Sequence, residues 1–176
     1  MIISNIKEVR DSRISEENLF SVAKRNVISL PDDVVESLNC YAWALGLTYP
    51  TNETVTYSPG FTSGYIFDSW QSFVENIVLD CVNLDIDFRI SFEKPKELAE
   101  GEYLVKALYS EPSADFPTGE FHLIRQNPDT GIWYDKPGFP NQARVISNPS
   151  DDELFATKLK PGINVKYTPI CYFVLR

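Results

Sequence analysis

Between Phe67 and Asn83 the apolar residues recur at helical spacing, and from Ile86 onward they recur every second residue. Trp70, Phe73, Val74, Ile77, Val78 and Cys81 form one stripe of an amphipathic helix. Ile86 to Ile90, Glu102 to Tyr109, Glu120 to Gln126, Ile132 to Lys136 and Tyr167 to Leu175 read as strands. This switch of period near residue 85 constrains the fold most. Helices come first, and an antiparallel sheet of about five strands follows. The expected class is α+β, with N-terminal helices packed on a C-terminal antiparallel sheet. No repeat or shift in composition divides the 176 residues, so one domain over 1–176 is expected.

A shorter helix precedes the stripe, in Ser37-Leu38-Asn39-Cys40-Tyr41-Ala42-Trp43-Ala44-Leu45-Gly46. Asn39 has the side chain of an N-cap, and Gly46 suits the stop. Cys40 then falls in the first turn, where unpaired N–H groups and the helix dipole favour a thiolate. That makes Cys40 a candidate nucleophile. The alternative is a small buried hydrophobe. Cys81 lies on the apolar stripe and Cys171 inside the last strand, so both read as packing. Three widely spaced cysteines fit neither a disulfide framework nor a common zinc pattern, and no metal or cofactor is expected.

The chain has one histidine, His122, at the start of a strand. Asn127-Pro128-Asp129-Thr130-Gly131 signals a turn, and the run from Ile132 to Lys136 returns as a second strand. With Gln126 opposite Gly131, His122 faces Asp135, a carboxylate that can orient the imidazole and stabilise its charge. A register slipped by one residue brings Lys136 there instead, and turn type decides between them. Gln126 shares the His122 side of an ideal strand and is a candidate supporting donor. Asn39 is a second candidate supporting residue.

Residues 1–36 are polar and charged. A helix is expected from Ser15 through Lys24, and a further turn from Pro31-Asp32-Asp33. The region reads as a lid or packing arm, or as a flexible extension. Thr48 to Gly64 reads as a long loop with a tight turn at Tyr57-Ser58-Pro59-Gly60; it either lines a groove or is a solvated connector. Residues 137–165 read as loop, with only Ala143 to Ile146 strand-like. The net charge of −9 argues against nucleic-acid or anionic-membrane binding. No segment has the length of a membrane span. No classical signal peptide is visible, so the expected place is the cytoplasm, or outside the cell by a signal-independent route. Nothing in the sequence sets an oligomeric state.

The order of cysteine at a helix start, histidine at a strand start and polar residue on the next strand resembles the papain-like cysteine hydrolases. It is most similar to the compact bacterial NlpC-type branch of cell-wall amidases. The chain also resembles a loose group of proteins sharing Asn-Cys-Tyr-Ala-x-Ala-Leu, a Pro-Gly turn, a His strand ending Arg-Gln, and Trp-x-(His or Asp)-Lys-Pro-Gly. Here these are Asn39 to Leu45, Pro59-Gly60, His122 with Arg125-Gln126, and Trp133 to Gly138. The match covers roughly half of the chain. Asn39-Cys40-Tyr41 departs from the Asp-Cys-Ser context usual in the NlpC branch.

The resemblance implies a papain-like fold and a triad of Cys40 as nucleophile, His122 as base and Asp135 behind the imidazole. It implies an acyl-enzyme route to cleaving an amide, peptide or isopeptide bond in a protein or peptide substrate. The same triad serves a glutamine deamidase, a transglutaminase or an acyltransferase. An acidic, non-enzymatic binding protein on the same scaffold is the reading from a different class.

Overall fold

The computed structural model describes residues 21–22, 35, 38–48, 57–137, 141–146, 155–160 and 163–176. For 21–22, 48, 155–160 and 163–164 the description is of backbone alone. The helix α1 (Cys40–Leu45) begins and ends where its sequence directs. Asn39 is extended, and its Oδ1 accepts the Ala42 N–H at 3.0 Å. Gly46 turns left-handed at φ 73° and closes the last turn. All six helical residues are buried. Its last carbonyls are bound from the sheet: Tyr103 Oη donates to Leu45 O at 3.3 Å, and Arg125 Nη1 to Ala44 O at 3.5 Å. The Arg125 guanidinium lies 3.6 Å over the Tyr103 ring, a cation–π contact beside the negative end of α1.

The helices do not form the N-terminal block expected from the sequence. The strand β1 (Ser21–Val22) precedes α1 and pairs antiparallel with β2 (Leu47–Thr48), which follows it. This pairing also overrides the helix expected from Ser15 through Lys24: Ser21 and Val22 meet Thr48 and Leu47 after the Gly46 reversal. The rest of that stretch, and the Pro31-Asp32-Asp33 turn, lie outside the described residues.

The long helix, α2 (Trp70–Asn83), starts later than the expected Phe67 because Ser69 caps it, with Ser72 returning the capping interaction. Its buried side holds Phe73, Asn76, Ile77, Asp80 and Cys81. Trp70, Val74 and Val78 sit at the margin of that side. The buried face is thus turned toward two polar residues, and the reason lies in the loop before it. Asp80 accepts four hydrogen bonds: from Tyr41 Oη at 2.6 Å, Gly60 N at 2.7 Å, Thr62 N at 3.0 Å and Thr62 Oγ1 at 2.5 Å. Asn76 Nδ2 reaches the carbonyls of Pro59 and Tyr65. Gly60 holds φ 93°, and a Cβ there would strike the Tyr65 carbonyl and the Asn76 side chain. The described part of the loop, from Tyr57, is therefore no solvated connector.

The main sheet has seven antiparallel strands, not five. They are β3 (Phe88–Ser91), β4 (Tyr103–Ser110), β5 (Glu120–Gln126), β6 (Trp133–Asp135), β7 (Arg144–Ile146), β8 (Phe155–Lys160) and β9 (Ile163–Leu175). Their order is β3-β9-β4-β5-β6-β7, with β8 paired to the start of β9. β8 lies in a stretch expected to be loop, and β9 begins at Ile163, ahead of the expected Tyr167. Pro- and Asp-rich flanks hid the alternation in Phe155 to Lys160, which flanks Pro161-Gly162 and pairs back onto β9. Both faces of the sheet are buried. Tyr103, Val105, Ala107, Tyr109, Leu123, Phe173 and Leu175 share one core cluster with α1 and α2. Leu104, Leu108, Ile124, Trp133, Val165, Tyr167 and Val174 form a second. This explains why β4 is buried without a break from Tyr103 to Tyr109, Lys106 included.

Asp80→Ala should leave Tyr41 Oη, Gly60 N and Thr62 N without an acceptor. The expected loss in urea unfolding is roughly 3 kcal/mol or more, against roughly 1 kcal/mol for Tyr41→Phe, which removes a single donor. Equal small losses would show that the carboxylate does not tie these segments together.

Candidate active site

β5 places His122 two residues beyond its pairing with β6, which covers Ile124 to Gln126. Asp135, the last residue of β6, lies opposite Ile124, diagonal to the histidine. Its Oδ1 meets His122 Nε2 at 2.6 Å, with both side chains buried. The expected direct pairing of His122 with Asp135 is therefore corrected, while their contact holds. Gln126 faces Trp133 instead of Gly131. The turn is longer than assumed: Asn127 N donates to Ile132 O and Gly131 N to Asn127 O, each at 2.8 Å, and Gly131 takes φ 70°. Asn127 Oδ1 receives Asp129 N and Thr130 N. A shift of two residues keeps the alternation of a strand, so Asp135 stays on the His122 side. The one-residue slip that would bring Lys136 there does not occur.

Asp135 is held from its other side by Arg144, its cross-strand neighbour on β7. Arg144 donates to Oδ2 from Nε at 2.9 Å and from Nη2 at 2.7 Å. Burial alone would raise the Asp135 pKa, but the His122 hydrogen bond and charge, with Arg144 behind them, carry it below the usual carboxylate range. No local pattern gives Arg144 a role; its only signal in the sequence is a cation on the strand-like run Ala143 to Ile146.

Cys40 is a near neighbour of the His122 imidazole, close enough for its charge to act on the ring. Nε2 is occupied by Asp135, which leaves Nδ1 as the nitrogen open to the sulfur. Burial would lower the His122 pKa, yet the charge on Cys40 and the hydrogen bonds to Asp135 and Cys40 outweigh it and raise it to about 10. The structure thus brings together Cys40, His122 and Asp135. The cluster is nearly closed to solvent, with Cys40 9% and His122 3% exposed. A helix of six residues aligns few peptide dipoles.

The supporting candidates divide. Asn39 Nδ2 donates to Tyr57 O at 2.5 Å while Oδ1 caps α1; Asn39 therefore fixes where Cys40 begins its helix. Gln126 is roughly 13 Å along β5 from His122 by strand rise, and its amide donates to Gly131 O at 2.7 Å. It serves the turn. Tyr41, adjacent to the thiol in sequence, points into the core, edge-on to Phe61 and Phe121. Cys81 is wholly buried, and burial followed by the Asp80 charge pushes its thiol far up. Burial pushes Cys171 up to about 12.

Among the described residues, no group of three His, Cys, Asp or Glu is placed to hold a metal ion. No helix among them is long and apolar enough to cross a membrane. No protein-family model, curated protein or solved structure matches the chain.

Brief alkylation of the folded protein, followed by peptide mass spectrometry, should label Cys40 well before Cys81 and Cys171. Labelling in the reverse order would contradict the burial of the latter two. The raised His122 pKa also predicts a pH dependence. The imidazolium contributes stability that is fully present below its unfolded value of about 6.5 and is lost as the pH rises through about 10. The urea midpoint of the wild type minus that of His122→Ala should shrink across this window.

Proposed function

We propose that this chain is a papain-like cysteine hydrolase, cleaving an amide, peptide or isopeptide bond in a protein or peptide through an acyl-enzyme. The observation that carries the reading is the buried His122, hydrogen-bonded to Asp135 through Nε2 and meeting the Cys40 thiol. An imidazole shared between a thiol and an ion-paired carboxylate is what thiolate chemistry requires.

In this mechanism His122 holds the Cys40 proton, as a thiolate–imidazolium pair. The thiolate forms a bond to the substrate carbonyl carbon, and the carbonyl π pair moves onto oxygen. When that pair returns, the C–N bond breaks, and the amine departs with the proton held by His122. Water then gives a proton to His122 and adds to the acyl carbon. The C–S bond breaks, the carboxylic acid leaves, and the thiolate is released beside the protonated His122. Asp135, braced by Arg144, keeps the imidazole oriented and stabilises its charge through both halves. An amine acceptor in place of water gives a transglutaminase or acyltransferase, and a glutamine side chain as substrate gives a deamidase. Substrate profiling separates these.

The low exposure of Cys40 favours one second reading, a non-enzymatic acidic protein in which the cluster is a buried polar network. p-Nitrophenyl acetate discriminates between them. The hydrolase should release a burst of p-nitrophenol and carry an acetyl group on Cys40. Cys40→Ala and His122→Ala should fall to background, and the loss in Asp135→Ala should be roughly 10²-fold smaller than in His122→Ala. Because the charged imidazole persists to about pH 10, Asp135→Asn should move any high-pH limb of turnover downward. Absence of the acetyl adduct from the wild type would favour the binding protein.

A further inference from the structure

A buried hydroxyl without a partner forfeits its hydrogen bonds to water and gains none in exchange. Tyr167 is wholly buried, and among the described residues its Oη has no hydrogen-bond partner. Its placement is set by an irregularity in β9. Along a regular strand Tyr167 would share the side of Cys171, Phe173 and Leu175, which pack toward α1 and α2. Opposite β4, however, Ala107 pairs with Cys171 and the next residue, Leu108, with Pro169. Ile170 is the extra residue of a β-bulge, and it reverses the phase of everything before it. Val165 and Tyr167 therefore join the second core cluster, with Leu108 and Ile124. That is the side of the sheet to which His122 belongs, since it lies opposite Leu108 and two residues from Ile124. The Tyr167 ring centroid is 5.6 Å from that of His122, with 34° between the planes. Bulges recur beside active sites, where they re-aim a side chain.

We infer that the Tyr167 hydroxyl is the side-chain donor that binds the substrate carbonyl oxygen as Cys40 attacks. This assignment rests on the cysteine-hydrolase reading above. The hydroxyl is a donor at every working pH: burial, then the charges of Glu120, Cys40 and Asp135, hold its proton far above the usual tyrosine range. As the Sγ–C bond forms, the carbonyl π pair moves onto oxygen, and the Tyr167 O–H hydrogen-bonds to that oxygen without giving up its proton. When the leaving group departs, the pair returns to the carbonyl. A donor already fixed in a dry site need not reorganise as the charge develops. The orphaned hydroxyl of the free protein thus finds its acceptor only in the reacting complex.

Tyr167→Phe removes the hydroxyl and keeps the ring. With p-nitrophenyl acetate, acetylation of Cys40 should slow roughly 10²-fold, the usual cost of losing one such donor. Alkylation of Cys40 by iodoacetamide, which develops no oxyanion, should proceed at the wild-type rate. The thermal midpoint should stay level or rise, because the lost hydroxyl had no partner. Equal acetylation rates in wild type and variant would overturn the assignment and leave the hydrolase reading intact. Parallel loss of acetylation and alkylation would also overturn it, by showing that Tyr167 acts on the thiol instead of the carbonyl. Absence of acetylation in the wild type would overturn the hydrolase reading, and this inference with it.

Discussion

The Asp80 carboxylate sits where α2 meets both α1 and the loop between the helices. Neutral donors satisfy it: a phenol, two backbone N–H groups and a hydroxyl. Burial still raises its pKa against the pull of those hydrogen bonds. Through Tyr41 it fixes the roll of α1, and through Gly60 and Thr62 it fixes the loop that Asn39 also grips at Tyr57. The thiol of Cys40 is therefore located from two sides, by the cap before it and by the residue after it. The last carbonyls of α1 are held in turn by Tyr103 and Arg125 of the sheet. A helix of two turns has little stability of its own, so these tertiary bonds are what hold it.

The charged cluster works differently. His122, Asp135 and Arg144 come from three successive strands, β5, β6 and β7, and each link depends on ladder geometry. Asp135 has one oxygen on the imidazole and the other on the guanidinium, so both of its acceptor atoms are engaged. Arg144 is itself exposed, with 61% of its side chain in solvent, and joins the buried pair to the surface. A buried carboxylate shared between two cations stays ionised, and that supports the charge on the imidazole.

The β9 bulge connects this cluster to the core. One extra residue reverses the alternation: Cys171 and Phe173 after it pack toward the helices, while Val165 and Tyr167 before it pack on the side of His122. A single strand thereby contributes Phe173 to one core and Tyr167 to the other. The alternation read from Tyr167 to Leu175 gives no warning of this, because an inserted residue in an apolar strand leaves the composition unchanged.

The sequence by itself determined the α+β class, both boundaries of α1, and the candidacy of Cys40 and His122. Those follow from local rules: Asn39 and Gly46 cap by their own chemistry, and the change of period near residue 85 is visible in any window. It offered Asp135 on the histidine's side as one of two registers, and the observed register differs from that one by two residues, the period of a strand. The tertiary structure alone decided the rest. The turn after Gln126 is longer because Asn127 and Gly131 close it between them. The Ser21–Val22 segment is a strand because Leu47 and Thr48 stand beside it. Asp80 meets partners distant in the chain, while Arg144 and Tyr167 are placed by strand register and by the β9 bulge. Their roles come from hydrogen bonds, an ion pair and a bulge that exist only once the strands and helices have met, and no local pattern encodes a partner that far away.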